Sequence, residues 1–281
     1  MRVVHARDEV RRAVREVRAA GGTVALVPTM GYLHAGHLSL VDRAREQADW
    51  VAMSIFVNPL QFAPTEDLAR YPRDLQRDLE MAHGRGVDLV FAPDVEEMYS
   101  GGEPQVAVVP AGSLAEGMEG AVRPGHFRGV LTVVAKLFGI FTPDVAVFGQ
   151  KDFQQAALIR RMALDLDVGV RVDVAPIVRE PDGLAMSSRN VYLSPEERER
   201  ALALSRGLEH GRALFAAGER DADALRAAVR TAMDVPGVQV EYAEAADPLT
   251  LAPVATADSG TVLLVAARVG RTRLIDNAVL S

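Results

Sequence analysis

Short apolar runs alternate with longer amphipathic stretches through the first two thirds of the chain. The first run, Thr23-Val-Ala-Leu-Val27, is aliphatic and β-branched, and it stops at Pro28, which has no backbone donor. The apolar runs predict five strands, at 23–27, 50–57, 87–91, 144–148 and 172–178. Helical spacing between them predicts an α/β fold with a parallel sheet.

The pattern changes near residue 177. Ser194-Pro195-Glu196-Glu197 forms a capping box with proline at the first helical position, and it starts a long predicted helix. A second helix is expected at 221–233, and strands at 238–245, 261–269 and 273–277. We therefore expect a Rossmann-like domain at 1–177 and a smaller α+β lid domain at 178–281. Between 99 and 120, glycines and weak alternation predict a loop and an edge hairpin.

The stretch 23–42 also carries candidate chemistry. Gly31 and Gly36 permit tight turns between the first strand and the helix that follows. A helix start presents free N–H groups and partial positive charge, which favour a phosphate. His34 and His37 lie three residues apart there, and each imidazole can donate to a phosphate oxygen. Two ordinary surface histidines, or part of a metal site, are the alternatives.

Polar loops follow the later apolar runs. Asn58 and Gln61 come after the second strand, and Asn58 could also simply cap a turn before Pro59. Arg123 and His126 lie on a glycine-bearing loop that could serve a substrate or a subunit contact. Lys151 at a second strand-to-helix turn could neutralise phosphate, or it could be a solvated turn residue.

An acidic pair is the candidate metal site. Asp74 and Asp78 lie i, i+4 on a predicted helix, so one of them, Asp78, could hold Mg²⁺ near a polyphosphate. An exposed acidic helix face is the alternative.

Composition limits the partners. The net charge of −7 argues against a nucleic-acid-coating surface, and no apolar stretch approaches a membrane span. The charged first twenty residues and zero cysteines predict a cytoplasmic protein without disulfides or thiolate zinc sites. Of the 31 basic residues only Lys136 and Lys151 are lysines, a hint that an ammonium is needed there.

Four segments carry a family resemblance. His34-Ala-Gly-His37 resembles the His-x-Gly-His signature of the nucleotidyltransferase superfamily, which binds ATP phosphates at the first strand-to-helix turn of a Rossmann-like sheet. The wider PTMGYLHAGHLSL, with FVNPLQF, FGQKDFQQ and MSSRN, is similar to the pantothenate synthetase family. The resemblance implies condensation of pantoate with β-alanine, using ATP, to give pantothenate, AMP and diphosphate through a pantoyl adenylate.

The resemblance also implies site residues, Mg²⁺ and a homodimer. His34, His37 and Lys151 are expected to be catalytic. Gln61 would contact both pantoate and β-alanine, and Gln155 would bind pantoate, with Asn58, Tyr71, His126 and Arg123 beside the substrate. The expected ATP site comprises Met30, Gly31, Tyr32, Leu33, His34, Ala35, Gly36, His37, Gly149, Gln150, Lys151, Asp152, Val178, Met186, Ser187, Ser188 and Arg189.

Two other functions are kept as alternatives. One is a nucleotidyltransferase of the same superfamily that acts on a cofactor precursor. The other is a non-catalytic nucleotide-binding protein.

Overall fold

The computed structural model describes residues 1–64 and 66–281, and a parallel sheet forms the centre of its larger part. The six strands lie in the order β1-β4-β3-β2-β5-β6, and every neighbouring pair is parallel. They are β1 (Arg2–Val4), β2 (Val24–Thr29), β3 (Trp50–Ile55), β4 (Leu89–Phe91), β5 (Val145–Gly149) and β6 (Arg171–Ala175). The predicted Rossmann-like fold class is confirmed.

Strand β2 lies between β3 and β5. The chain first moves from β2 outwards through β3 to β4, and then returns to β5 on the other side of β2. The loops that follow β2 and β5 therefore leave the sheet at a topological switch point. Open α/β sheets bind their ligands in the crevice at this point.

Helices cover both faces of the sheet. Val24 and Leu26 of β2 pack on one face, whereas Ala25 and Val27 pack on the other. All four are fully buried, which explains why β2 is a continuous apolar run and not an alternating one. The helices of this part are α1 (Arg7–Ala19), α2 (Ala35–Arg45), α3 (Leu75–Gly84), α4 (Val95–Met98), α5 (Glu119–Val122), α6 (His126–Phe141) and α7 (Phe153–Asp165).

The C-terminal part has two helices and an antiparallel sheet in the order β7-β8-β9. The predicted capping box is present, with 3.2 Å from the Glu197 amide nitrogen to Ser194 Oγ and 3.0 Å from the Ser194 amide nitrogen to Glu197 Oε2. The elements are α8 (Pro195–Ala216), α9 (Ala222–Ala232), β7 (Val238–Ala246), β8 (Val262–Val269) and β9 (Thr272–Val279). Within residues 1–64 and 66–281, no helix has both the length and the apolar composition needed to cross a bilayer.

A buried ion pair joins the two parts. The carboxylate of Glu119 accepts two bonds from the Arg273 guanidinium, at 2.6 and 2.7 Å, and one from the Tyr242 hydroxyl, at 2.9 Å. Glu119 belongs to α5, whereas its two partners lie on β9 and β7. The bidentate geometry sets the orientation as well as the distance between the parts.

Three predictions about elements need correction or stay open. The predicted edge hairpin at 99–120 is wrong: this segment holds a 3-10 turn at Ser113–Ala115 and the short helix α5. Val106 and Val109 are 85% and 65% exposed, so no apolar face holds a strand there. Strand β1 was missed because three residues carry too little pattern, and β6 ends at Ala175, earlier than predicted. The domain boundary after residue 177 stays a prediction.

Helix α6 yields a paired test of the packing. An added Cβ at Gly129 would lie 2.2 Å from the Leu60 carbonyl oxygen, whereas at Gly139 it would meet nothing within 4 Å. We expect Gly129→Ala to lower the free energy of unfolding by about 1–3 kcal/mol through overpacking. The control Gly139→Ala should raise it by about 0.5–1 kcal/mol, because alanine loses less backbone entropy in a helix. Urea unfolding measures both changes, and equal effects would contradict this packing.

Candidate active site

The loop between β2 and α2 is shaped by Asp78. Its carboxylate oxygens accept the backbone N–H groups of Tyr32 and Leu33, each at 2.7 Å, and Asp78 is 1% exposed. An added Cβ at Gly31 would lie 2.9 Å from Asp78 Oδ2, and Gly31 has φ +80°, so the turn requires glycine. The carboxylate therefore holds the loop against α3.

This arrangement corrects the predicted metal role of Asp78. Both of its oxygens already accept main-chain hydrogen bonds. Among residues 1–64 and 66–281, no group of three or more His, Asp or Glu side chains is placed to hold a metal ion. We assign Asp78 to positioning of the histidine loop.

The two histidines stand together at the start of α2. Their ring centroids are 4.0 Å apart, and His34 is the extended residue that precedes the helix. An added Cβ at Gly36 would lie 2.9 Å from the His34 ring, so the glycine between the histidines leaves room for that imidazole. The spacing of the His-x-Gly-His segment thus has a direct packing reason.

Burial keeps both histidines neutral. It lowers the pKa of His34 to about 4, helped by the nearby positive charge of Lys151. Burial also lowers the pKa of His37 well below its ordinary value, and His34 and Lys151 act in the same direction. His37 Nδ1 accepts the His34 backbone N–H at 3.3 Å, so the neutral ring carries its proton on Nε2. His37 is therefore a fixed, uncharged donor.

The loop between β5 and α7 forms the second side of the crevice. A 3-10 turn at Gln150–Asp152 places Lys151 at the pocket, with its ammonium 3.7 Å from the Asp152 carboxylate. The adjacent glutamines differ: Gln154 is buried and donates to the carbonyl oxygens of Leu114 and Gly117, whereas Gln155 lines the pocket. Gln155 is therefore the glutamine that can reach a ligand, and its pantoate-binding role stays a prediction.

A third loop, at Met186–Arg189, completes this side. The Ser188 hydroxyl donates to the Tyr32 carbonyl oxygen at 3.1 Å, which ties this loop to the histidine loop. The Arg189 guanidinium forms a bidentate pair with Asp67 at 2.9 and 3.0 Å, and it lies 5.5 Å from the centre of the Tyr71 ring. The guanidinium therefore sits at the pocket wall with its charge already paired.

Gln61 also lines the pocket and is held there by a layer of polar residues. Asn58 Nδ2 donates to Gln61 Oε1 at 3.1 Å, and the Tyr99 hydroxyl donates to Asn58 Oδ1 at 2.8 Å. His126 Nδ1 lies 2.9 Å from the Gln61 carbonyl oxygen. Arg123 reaches the same oxygen at 3.3 Å. Several residues predicted to touch the substrate therefore position Gln61.

Of these residues Asn58 needs correction, whereas the place of Arg123 beside the substrate stays a prediction. Asn58 is 1% exposed and its amide is fully engaged by protein groups, so it lies behind the pocket wall. Arg123 lines the pocket, but it pairs with Glu66 at 2.6 Å and lies 3.7 Å from Glu119. Burial, together with the nearby positive charge of Arg123, lowers the pKa of His126 to about 4. His126 is thus a neutral residue that donates to Gln61.

The structure brings most of the predicted site residues to one pocket. The residues of the predicted ATP and substrate sites that line it are Met30, His34, Gly36, His37, Gln61, Tyr71, Arg123, His126, Gly149, Lys151, Asp152, Gln155, Val178, Met186, Ser187, Ser188 and Arg189. The remaining predicted residues, Gly31, Tyr32, Leu33, Ala35, Gln150 and Asn58, do not line it. Of the two lysines, Lys151 lines the pocket. Lys136 does not, and its ammonium lies 5.9 Å from the centre of the Tyr99 ring.

Sequence reasoning missed the contribution of the C-terminal part. The Gln150 amide, predicted to bind ATP, donates instead to Asn277 of β9 at 3.1 Å. Asp276 pairs with Arg179, directly after Val178, at 2.6 Å. The signal in the sequence was a polar pair, Asp276-Asn277, inside an apolar strand.

Comparison with known proteins identifies the family. A profile of the pantoate–β-alanine ligase family matches residues 2–279. A pantothenate synthetase of Roseiflexus sp. (strain RS-1) is 56% identical over 282 residues, covering 100% of this chain and 99% of the relative. A pantothenate synthetase of Geobacter sulfurreducens is 51% identical over 281 residues, with the same coverage.

Solved structures agree with these relatives. A crystal structure of pantothenate synthetase from Thermus thermophilus has a TM-score of 0.94 and 49% identity, and covers 99% of both chains. A pantoate–β-alanine ligase from Francisella tularensis, complexed with β-γ ATP and β-alanine, has a TM-score of 0.81 and 30% identity, covering 99% of this chain and 97% of that one. The chain described here belongs to the pantoate–β-alanine ligase family.

Proposed function

We propose that the crevice between β2 and β5 joins pantoate to β-alanine in two half-reactions, through a pantoyl adenylate. The overall reaction is the ATP-dependent condensation that gives pantothenate, AMP and diphosphate. One observation carries the proposal. Side chains that can donate hydrogen bonds to phosphate, at the turns after β2 and β5, line the same pocket as the side-chain amides of Gln61 and Gln155. Membership of the ligase family sets aside the nucleotidyltransferase and the non-catalytic alternatives.

In the first half-reaction, an oxygen of the pantoate carboxylate attacks the α-phosphorus of ATP. A bond forms between them, the bond to the bridging oxygen breaks, and diphosphate leaves with the electron pair. Charge grows on the departing oxygens, and donors fixed before the reaction stabilise it without reorganising. Lys151 and the Nε2–H of His37 are placed for this role, together with His34 and the Ser187–Arg189 loop.

In the second half-reaction, the β-alanine amine attacks the carbonyl carbon of the adenylate. The new C–N bond forms, the bond to the AMP oxygen breaks, and the amine proton passes to solvent. AMP is a far better leaving group than oxide, which is why the carboxylate is adenylated first. Gln61 and Gln155 are proposed to hold the pantoyl group through both steps.

Magnesium is proposed to arrive with ATP. Asp152 is the one acidic residue among the described residues that line the main pocket, and its pairing with Lys151 at 3.7 Å is loose. One carboxylate beside substrate phosphates suits Mg²⁺, which keeps several waters. The ion would neutralise phosphate charge. The homodimer, the cytoplasmic location and the lack of a nucleic-acid partner stay predictions.

The proposed function is tested by product analysis. The purified protein, given ATP and Mg²⁺, should release AMP and pantothenate only when both pantoate and β-alanine are present. With pantoate alone, pantoyl adenylate should form to about one equivalent per site. Release of AMP without β-alanine dependence, or no AMP at all, would overturn the proposal.

The glutamines give a prediction about pantoate. Gln61→Ala and Gln155→Ala should each raise the pantoate dissociation constant about 10- to 100-fold, because a substrate group left unpaired costs about 1–3 kcal/mol. The ATP dissociation constant should change little. The neighbouring Gln154→Ala is the contrast: it should lower thermal stability and leave pantoate binding intact. Equal losses for ATP and pantoate would show that Gln61 and Gln155 have other roles.

The phosphate donors give a prediction about which step slows. His34→Ala, His37→Ala and Lys151→Ala should each slow adenylate formation by about 10²–10³. Lys151→Arg should also slow adenylate formation, since a planar guanidinium does not replace a compact ammonium. Amide formation from supplied adenylate should stay near the wild-type rate, because diphosphate has already left. Single-turnover kinetics measure both steps.

The remaining lysine supplies the control for that experiment. Lys136 lies outside the pocket, beside Tyr99. The Lys136→Ala variant should keep both rates. Normal adenylation in Lys151→Ala, or equal slowing of both steps, would contradict the assigned role.

The buried imidazole of His126 gives a pH prediction. Its pKa is about 4 in the folded protein and 6.5 as a free group, so between these values the unfolded chain binds the extra proton. Stability is therefore lost as the pH falls through this window, by about 2 kcal/mol between pH 7 and pH 5. His126→Asn should remove that part of the slope in urea unfolding, whereas the variant His210→Gln, at an exposed position, should keep it. A wild-type slope in His126→Asn would contradict the prediction.

A further inference from the structure

Strand β9 presents one face to the large domain. Arg273, Ile275 and Asn277 alternate along that strand with residues that pack into the small domain, such as Leu274 and Ala278. Arg273 pairs with Glu119 of α5. Ile275 packs in an apolar cluster with Phe153 and Ala157 of α7. The third residue of this face, Asn277, reaches the loop that carries Lys151.

Asn277 uses its whole side chain on that loop. Its Nδ2 donates to the carbonyl oxygens of Gln150 and Lys151, at 2.9 and 3.0 Å. Its Oδ1 accepts the Gln150 side-chain amide at 3.1 Å. Asn277 is 2% exposed, so these three bonds form away from water. Two donors and one acceptor of a single amide thus fix both peptide groups at Lys151.

The main chain below Asn277 is itself fixed. Asp276 Oδ1 accepts the Asn277 backbone N–H at 2.8 Å. The same carboxylate pairs with Arg179 at 2.6 and 3.1 Å, and Arg179 donates to the Gly183 carbonyl oxygen at 3.1 Å. A bidentate pair of this kind, with its carboxylate buried, gives β9 a defined direction at Asp276. Asn277 therefore projects from a rigid support.

We infer that Asn277 of the C-terminal part is a positioning residue for Lys151 in the adenylation step. It fixes the carbonyls of the peptide groups before and after Lys151, so the Lys151 ammonium enters the crevice at a fixed place. A group held before the reaction stabilises transition-state charge better than one that must first be ordered. The inference rests on the proposed function, because it assigns Asn277 to one half-reaction.

This role also explains why the sequence of the small domain shows no catalytic motif. Its contribution is one amide against the main chain of the lysine loop, so adenylation requires the small domain to sit where this contact forms. Displacing β9 from the loop would release the two carbonyls and the lysine together. A positioning residue on one domain thus makes the reactivity of a lysine on the other depend on their arrangement.

The decisive variant is Asn277→Asp. It has the same shape, but it removes both N–H donors and places a carboxylate against two carbonyl oxygens. We expect adenylate formation to slow about 10- to 100-fold in single-turnover experiments, with the pantoate dissociation constant unchanged and amide formation from supplied adenylate near the wild-type rate. Equal slowing of both half-reactions, or normal adenylation, would overturn the inference.

The matched control is Ile275→Val, two residues earlier on the same face. It trims the apolar cluster to which Phe153 and Ala157 of α7 also belong, and it changes no group that bonds to the lysine loop. It should lower thermal stability and keep the adenylation rate. If Ile275→Val slows adenylation as much as Asn277→Asp, the effect is general loosening between the domains and the inference fails.

A double variant tests whether Asn277 acts through Lys151. If it does, Lys151→Ala with Asn277→Asp should be little slower in adenylation than Lys151→Ala alone. If the rate losses of the two single variants multiply in the double variant, Asn277 acts independently of Lys151 and the inference is overturned. Wild-type protein measured in parallel must form the adenylate; if it does not, the proposed function itself fails, so the two failures are distinguishable.

Discussion

The pair of main-chain hydrogen bonds from Tyr32 and Leu33 to Asp78 is the contact on which the rest of the site depends. The turn after β2 must leave a buried strand, reverse through Gly31 and begin α2 within a few residues. Its N–H groups would otherwise be buried without partners, at about 1–3 kcal/mol each. A carboxylate from α3 satisfies two of them, and the direction in which His34 and His37 face the crevice follows from it.

The same principle recurs at each of the other loops. Gln61 is held through Asn58 and His126, and the serine loop is tied to the Tyr32 carbonyl oxygen. Buried polar groups are stable only when their hydrogen bonds are satisfied, so most of the polar side chains near the pocket bond to protein groups. Only a few remain directed at the ligand space. The site is therefore preorganised: a layer of hydrogen-bonded polar residues supports the few side chains that face the ligand.

The ionisable groups of the pocket are likewise mostly paired with protein groups or neutral. Both pocket arginines are engaged in close carboxylate pairs, Arg123 with Glu66 and Arg189 with Asp67. The histidines are neutral because burial lowers the pKa of each. Lys151 is the cation with the loosest acidic contact, at 3.7 Å. A chain that uses arginine nearly everywhere keeps a lysine at this pocket, where the proposed function needs a compact charge for phosphate.

Local patterns in the sequence predicted β2, β3, β4, β5 and β6, the turns that follow β2 and β5, and the polar residues at those turns. Periodicity, glycine and capping signals are local, and the loop after a buried strand lies at the sheet edge whatever packs around it. His34, His37 and Lys151 were found in this way, Gln155 came from the family resemblance, and the structure brings all four to one pocket. Strand β1 was not predicted, because a strand of three residues can be recognised only from its pairing with β4.

Only the tertiary structure decided which polar residues face the ligand and which support them. Asn58, Gln150 and Asp78 have the residue types of ligand contacts, yet each bonds to protein groups brought from distant parts of the chain. Asn277 lies 126 residues after Lys151, and no local pattern links them. Hydrogen-bond partners of buried amides and carboxylates are set by packing between elements, and sequence spacing carries no information about that packing.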